Sequence, residues 1–185
     1  MSVNILTDLA VLGIAHQGPI TIGRIATVAK SLVPELWSPT SGVIDAAVRR
    51  NYQIGHLSKD KKESKSPLLK LTKTGRAQIQ SLLVCDPGEL VSPATQAVET
   101  VQFCLLDAAS RPTAEIVLTR LQNRQKKRLA DLRNRCRNCP HSGRYMNLWM
   151  GMEQRRLAAV EQMLTMVSID GNKLSTTIEQ PELIQ

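Results

Sequence analysis

The chain has 185 residues, a net charge of +8 and a sequence pI near 9.6. That length holds one large domain or two small ones, which excludes a typical two-domain enzyme with separate cofactor and substrate halves. Apolar residues at 42% and charged residues at 22% exclude wholesale disorder, and 3% aromatics exclude base-stacking platforms for single-stranded nucleic acid. The positive balance favours a polyanionic partner, with duplex DNA, RNA and anionic lipid all open. There is no apolar run of the roughly 18 to 20 residues that span a bilayer, and no signal-peptide pattern at the N-terminus, so a cytoplasmic location is expected. Cys85, Cys104, Cys136 and Cys139 are then expected as reduced thiols.

Ile5, Leu6, Leu9, Leu12 and Gly13 recur at helical spacing and Gln17-Gly18-Pro19 stops them, which predicts a core helix over Asn4 to His16. Thr21 can cap a second helix, whose Ile22, Ile25, Ala26 and Ala29 share a face and which Pro34 ends. The turn Trp37-Ser38-Pro39-Thr40-Ser41 leads into a third helix marked by Val43, Ile44, Ala47 and Val48 and closed by Arg49-Arg50-Asn51. Two short apolar segments, Ile54 to Leu57 and Leu68 to Leu71, flank the polar stretch Ser58 to Ser66 and read as a hairpin with a basic tip. Thr72 can cap a fourth helix from Lys73 to about Leu83, where Gly75 suggests close packing. Three helices, a hairpin and a helix are the order of a winged helix-turn-helix.

Cys85-Asp86-Pro87-Gly88 reads as a linker, and a helix from Pro93 to about Ala109 follows it. A long helix from Thr113 to about Arg137 carries the stripe Val117, Leu118, Leu121, Leu129, Leu132 and Cys136. The last helix, Tyr145 to about Ile169, sets Leu148, Trp149, Met152, Leu157, Val160, Leu164 and Val167 on its apolar side. The expected organisation is a winged helix over 1–84, helices over 85–169 and a tail over 170–185. An uneven set of amphipathic helices in so small a domain needs a partner to bury its stripes, which points to a homodimer.

The segments Leu9-Ala-Val-Leu-Gly13, Gly18-Pro19, Leu36-Trp-Ser-Pro-Thr-Ser-Gly-Val-Ile44, Arg49-Arg50, Gly55-His-Leu57 and Leu71-Thr-Lys-Thr-Gly-Arg76 resemble PadR-family transcriptional regulators in residues, order and gaps. The resemblance covers Asn4 to about Leu83 by motif; beyond that only the helix pattern matches. It implies a mainly α protein, a winged helix-turn-helix with a two-stranded wing and a C-terminal helical dimerisation domain. It also implies a sequence-specific duplex-DNA-binding regulator, a repressor acting as a homodimer, with a small-molecule or protein effector and no cofactor. Three positions depart from the family. Ile22-Gly23 stands in place of Gly-Tyr, Asp45 in place of Tyr, and Pro67-Leu68-Leu69 replaces the basic and aromatic run before Leu71-Thr72, leaving Lys70. A carboxylate on a helix lying against phosphates is repelled by them, so Asp45 is expected to weaken DNA binding or shift its site preference.

For DNA contact the candidates are Thr40, Ser41, Arg49 and Arg50 on the third helix, with Lys61, Lys62 and Lys65 in the wing. Hydroxyls, helix N-terminal amides and cations are phosphate donors; the same residues would otherwise serve as caps and solvated charges. Arg111 to Arg144 holds ten basic residues against Glu115 and Asp131, an anionic-partner surface or the solvated face of a dimer helix. Cys136, Cys139 and His141 form the one segment with redox or metal-ligand spacing, yet zinc needs four ligands and the thiols alone are the plainer reading. No nucleotide-binding glycine loop, zinc-protease motif or nucleophile elbow occurs, so no enzyme is expected. The rival to a DNA-binding regulator is a winged-helix protein-interaction module that has lost DNA binding, with a thiol- or metal-responsive regulator as a variant.

Overall fold

The computed structural model describes residues 3–59, 67–88, 92–138 and 143–170. The chain divides into two compact units, Met1–Thr113 and Ala114–Gln185.

In the first unit, helix α1 (Val3–His16) is apolar nearly all round, and a helix of that kind is stable only when enclosed. Leu9, Ala10, Val11, Leu12 and Ile14 are buried, and α1 packs against α2 (Ile22–Leu32), α3 (Ser41–Gln53), α4 (Lys73–Val84) and α5 (Pro93–Cys104). Threonine caps open three of these helices. The side chains of Thr21, Thr40 and Thr72 accept from the backbone N–H groups of Arg24, Val43 and Gly75, donors that otherwise have no helical partner. Ser92 and Thr95 form a reciprocal capping box on α5, with Pro93 in its first turn.

Strands β1 (Leu57–Lys59) and β2 (Leu69–Leu71) pair antiparallel, with Leu57 opposite Leu71 and Lys59 opposite Leu69. Ile20 adds an isolated antiparallel bridge to β2, exchanging both backbone hydrogen bonds with Leu69 at 3.0 and 2.8 Å. The first strand begins later than the expected Ile54. Helix α3 runs on to Gln53, Ile54 is its exposed cap, and Gly55 at φ +79° takes the left-handed step that turns the chain into β1.

The fifth helix is shorter than its apolar pattern predicts. It stops at Cys104 and continues as a tight 3-10 turn, Leu106–Ala108. Leu105 lies against Gly13 of α1, where a β-carbon would strike its side chain. Gln102, fully buried, donates to the carbonyls of Leu82 and Cys85 at 2.9 and 2.7 Å, and so satisfies the end of α4. Gln80 bonds both Ala108 O and the Ser110 N–H. These contacts make residues 92–113 part of the first unit, whereas the reading of the sequence drew a boundary after residue 84.

The second unit pairs the rest of α6 (Arg111–Asn138) with α7 (Arg144–Asp170). Gln122 and Lys126 reach Glu161 while Gln125 and Arg128 reach Glu153, so residue numbers rise along one helix as they fall along the other and the pair is antiparallel. Leu129 and Leu132 are buried on α6.

Candidate nucleic-acid interface

The second and third helices and the turn between them present one outward surface. Ile44, Ala47, Val48 and Asn51 point into the core, at spacings of three and four that keep one stripe of α3 inside. The opposite stripe is Gly42, Asp45, Ala46, Arg49 and Gln53, exposed except for half-buried Asp45. Gly42 and Ala46 keep this face low, so a surface laid on it approaches the backbone closely. Between α2 and α3 runs a cleft of about 650 Å³, with Gly23, Thr27 and Lys30 on one wall and Ser41 and Asp45 on the other.

Of the candidate DNA contacts, Thr40 at the cap of α3, Ser41 at its first position and Arg49 about two turns further on are all exposed. Arg50 is committed elsewhere. Its Nη2 donates to Asp8 Oδ1 at 2.6 Å and to Thr7 Oγ1 at 3.3 Å, tying the end of α3 to α1. Lys61, Lys62 and Lys65 lie outside the described residues. At the base of the wing, however, Lys59 Nζ sits 4.7 Å from the centre of the Tyr52 ring, a cation–π contact that joins β1 to α3. Cys136 is half-buried and unoxidised on α6, whereas Cys139 and His141 are outside the described residues. Among the described residues no three His, Cys, Asp or Glu side chains gather as metal ligands would.

Reading the sequence missed the polar lock behind the interface. Asn51, 1% exposed, donates through Nδ2 to Asp8 Oδ1 at 2.6 Å and to Ala47 O at 2.9 Å, and its Oδ1 accepts from His56 Nδ1 at 3.0 Å. A carboxylate thus fixes Arg50 and Asn51 together, and through His56 the start of β1. The one signal in the sequence was an acid inside the apolar run Ile5 to Ala15. Replacing Asp8 by alanine removes the charged acceptor shared by the buried Asn51 amide and the Arg50 guanidinium, leaving them only Ala47 O and Thr7 Oγ1, and is expected to lower stability by about 2 kcal/mol. Urea unfolding of Asp8→Ala against the native chain measures it; a loss within about 0.5 kcal/mol would mean that the lock is ornamental.

In the helical unit the basic run of α6 is partly engaged: Arg128 and Lys126 face Glu153 and Glu161 of α7, while Lys127, Arg133, Arg135 and Arg137 are exposed. Glu153 is 1% exposed. Burial alone pushes its carboxyl up, but hydrogen bonds from Gln125 and Trp149 and the guanidinium groups of Arg128 and Arg156 outweigh that and hold it below the usual carboxylate range. Tyr145, Leu148, Trp149 and Met152 form an exposed stripe along the start of α7, spaced as one helix face.

Three helices, a two-stranded wing and a packed fourth helix make the first unit a winged helix-turn-helix. No helix among the described residues is long and apolar enough to cross a membrane. No protein-family model matches the sequence, and no curated protein matches it either. Among solved structures the chain is similar to Bacillus subtilis PadR in complex with p-coumaric acid, at 16% identity and a TM-score of 0.41, over 91% of this chain and 98% of that one. It is also similar to Bacillus subtilis PadR in complex with operator DNA, at 18% identity and a TM-score of 0.39, over 86% and 98%. A third similar structure is a PadR-like transcriptional regulator from Bacillus cereus, at 13% identity and a TM-score of 0.40, over 89% and 99%.

Proposed function

We propose that this protein is a sequence-specific duplex-DNA-binding transcriptional regulator, a non-enzymatic repressor that acts as a homodimer. The observation that carries the reading is the outward stripe of α3: a helix of low profile, capped by Thr40, with Arg49 exposed and none of the described residues covering it. In a helix-turn-helix the second helix enters the major groove with its N-terminal residues at base edges, while its flanks touch the backbone. Thr40, Ser41 and the helix N-terminal amides supply phosphate donors, Arg49 reaches the groove, and Lys59, Lys61, Lys62 and Lys65 track the backbone beside it. A net charge of +8 adds affinity through counterion release.

Anisotropy against labelled genomic duplexes at about 50 and 200 mM salt tests this, and a protein making six or more phosphate contacts loses about 10³-fold or more in affinity across that range. Arg49→Ala should weaken binding at both. The engagement of Arg50 with Asp8 gives the rival some support, since it leaves Arg49 as the one arginine on the outward stripe. No binding at low salt would favour a protein-interaction module.

The homodimer rests on the exposed stripe Tyr145, Leu148, Trp149 and Met152, of which Tyr145 is 83% exposed. A second copy covers it and gives two reading heads for two half-sites. Sedimentation should return a dimer at micromolar concentration, and Leu148→Asp with Met152→Asp should return a monomer with weakened DNA binding; a native monomer would contradict the proposal. A small-molecule or protein effector, or a thiol or metal signal at Cys136, Cys139 and His141, acts in this reading by changing helix packing in the dimer and with it the spacing of the heads.

A further inference from the structure

The carboxylate of Asp45 makes no bond within the described fold; Glu35, Asp107 and Asp131 are likewise unbonded, but of these Asp45 is the one on the outward stripe of α3. Asp8 locks α1 to α3, Glu153 is buried among donors, and Glu161 meets Lys126 and Gln122, each of them bonded. Asp45 forms neither a hydrogen bond nor an ion pair with any described residue, although Lys30 lines the same cleft. It stands half-buried on the outward stripe of α3, one turn in from the Thr40 cap, beside Ala46 and four residues before Arg49.

We propose that Asp45 is a base-reading residue whose carboxylate accepts a hydrogen bond from the N4 amino group of cytosine in the major groove, with Arg49 donating to a guanine about two base pairs away. The inference rests on the DNA-binding reading above and gives it a base preference.

Position and chemistry both support it. The helix N-terminus, with its free amides and the hydroxyls of Thr40 and Ser41, is where phosphates are held, and Asp45 lies a turn beyond it, where a recognition helix meets base edges. Gly42 has open space around its α-carbon and Ala46 ends at a methyl, so neither holds the helix away from the groove floor. An ionised carboxylate can only accept. In the major groove the amino donors are cytosine N4 and adenine N6, and adenine sets the acceptor N7 beside its donor, which repels a second acceptor; cytosine offers the donor without it. A guanidinium reads the O6 and N7 acceptors of guanine. Residues four apart are separated by about 6 Å along the helix, close to two base-pair steps of about 3.4 Å. Acid at i and arginine at i+4 also favour one another, which reduces the repulsion between Asp45 and the phosphates.

Selection from a randomised pool of duplexes with the full chain, Asp45→Asn and Asp45→Ala tests the assignment. The native protein should prefer cytosine at one position of each half-site by about tenfold. Asp45→Asn should move that preference to adenine, since an amide both donates and accepts, and Asp45→Ala should abolish it while leaving the other positions unchanged. A half-buried side chain without a bonding partner makes both variants safe for folding, which circular dichroism checks. Identical preferences in all three proteins, with Asp45→Ala binding every duplex more tightly by one factor, would reduce Asp45 to a phosphate-repelling charge and overturn the assignment while leaving DNA binding intact. Absence of binding by the native chain to any duplex at low salt would overturn both.

Discussion

Replacing Gly75 by alanine is expected to destabilise the winged helix by about 3 kcal/mol, although alanine is the better helix former. The added methyl would strike the carbonyl of His56 and the side chain of Leu71. The carbonyl cannot retreat, because it accepts both the Thr72 N–H and the Thr72 hydroxyl, each at 3.0 Å, and so fixes the junction of wing and fourth helix. Gly23→Ala is the matched control: it lies in α2 with open space around it, so the propensity gain of about 1 kcal/mol should show as added stability. Urea midpoints that shift in opposite directions would establish close packing as the reason for Gly75. Equal shifts would refute it.

The second large effect concerns Glu153. Its folded carboxyl lies below the ordinary value of 4.5, so its contribution to stability is complete above that value and fades as pH falls through the lowered folded one. The helical unit should therefore weaken on acidification below about pH 4.5. Glu153→Gln should remove that acid dependence and, at neutral pH, lower stability by about 2 kcal/mol: the amide loses its charge-assisted bonds with Arg128 and Arg156, but those arginines remain half in water and are not stranded. Urea unfolding followed by helix circular dichroism at pH 7 and pH 3.5 reads both effects. A variant as acid-sensitive as the native chain would remove Glu153 from the account.

Local chemistry was legible where it is local. Thr21, Thr40 and Thr72 act as the caps their positions predict, because a cap needs only the backbone three residues on. Gly75 likewise announced close packing, though not its partner. The limits of α3 and β1 were harder to read, since Ile54 fits a strand pattern equally well and only Gly55 in the left-handed region decides that the helix runs to it. What could not be read was polar pairing across the fold. Arg50 was expected outward, yet its partner lies 42 residues away on α1. Glu153 resembles any solvated helix charge until Gln125 and Arg128 of the neighbouring helix are set against it. The side of the boundary on which α5 falls also depended on a partner, Gly13, that no periodicity names.

The central claim is that α3 lies in the major groove of duplex DNA. Methylation interference with dimethyl sulfate on a bound genomic duplex tests it most directly, because methyl groups at guanine N7 project into the major groove and those at adenine N3 into the minor groove. The account predicts loss of binding from N7-methylated guanines in two clusters about one helical turn apart. Arg49→Ala should relieve the guanine about two base pairs from the cytosine assigned to Asp45. Interference confined to adenine N3, or bound complexes indifferent to methylation in either groove, would contradict it.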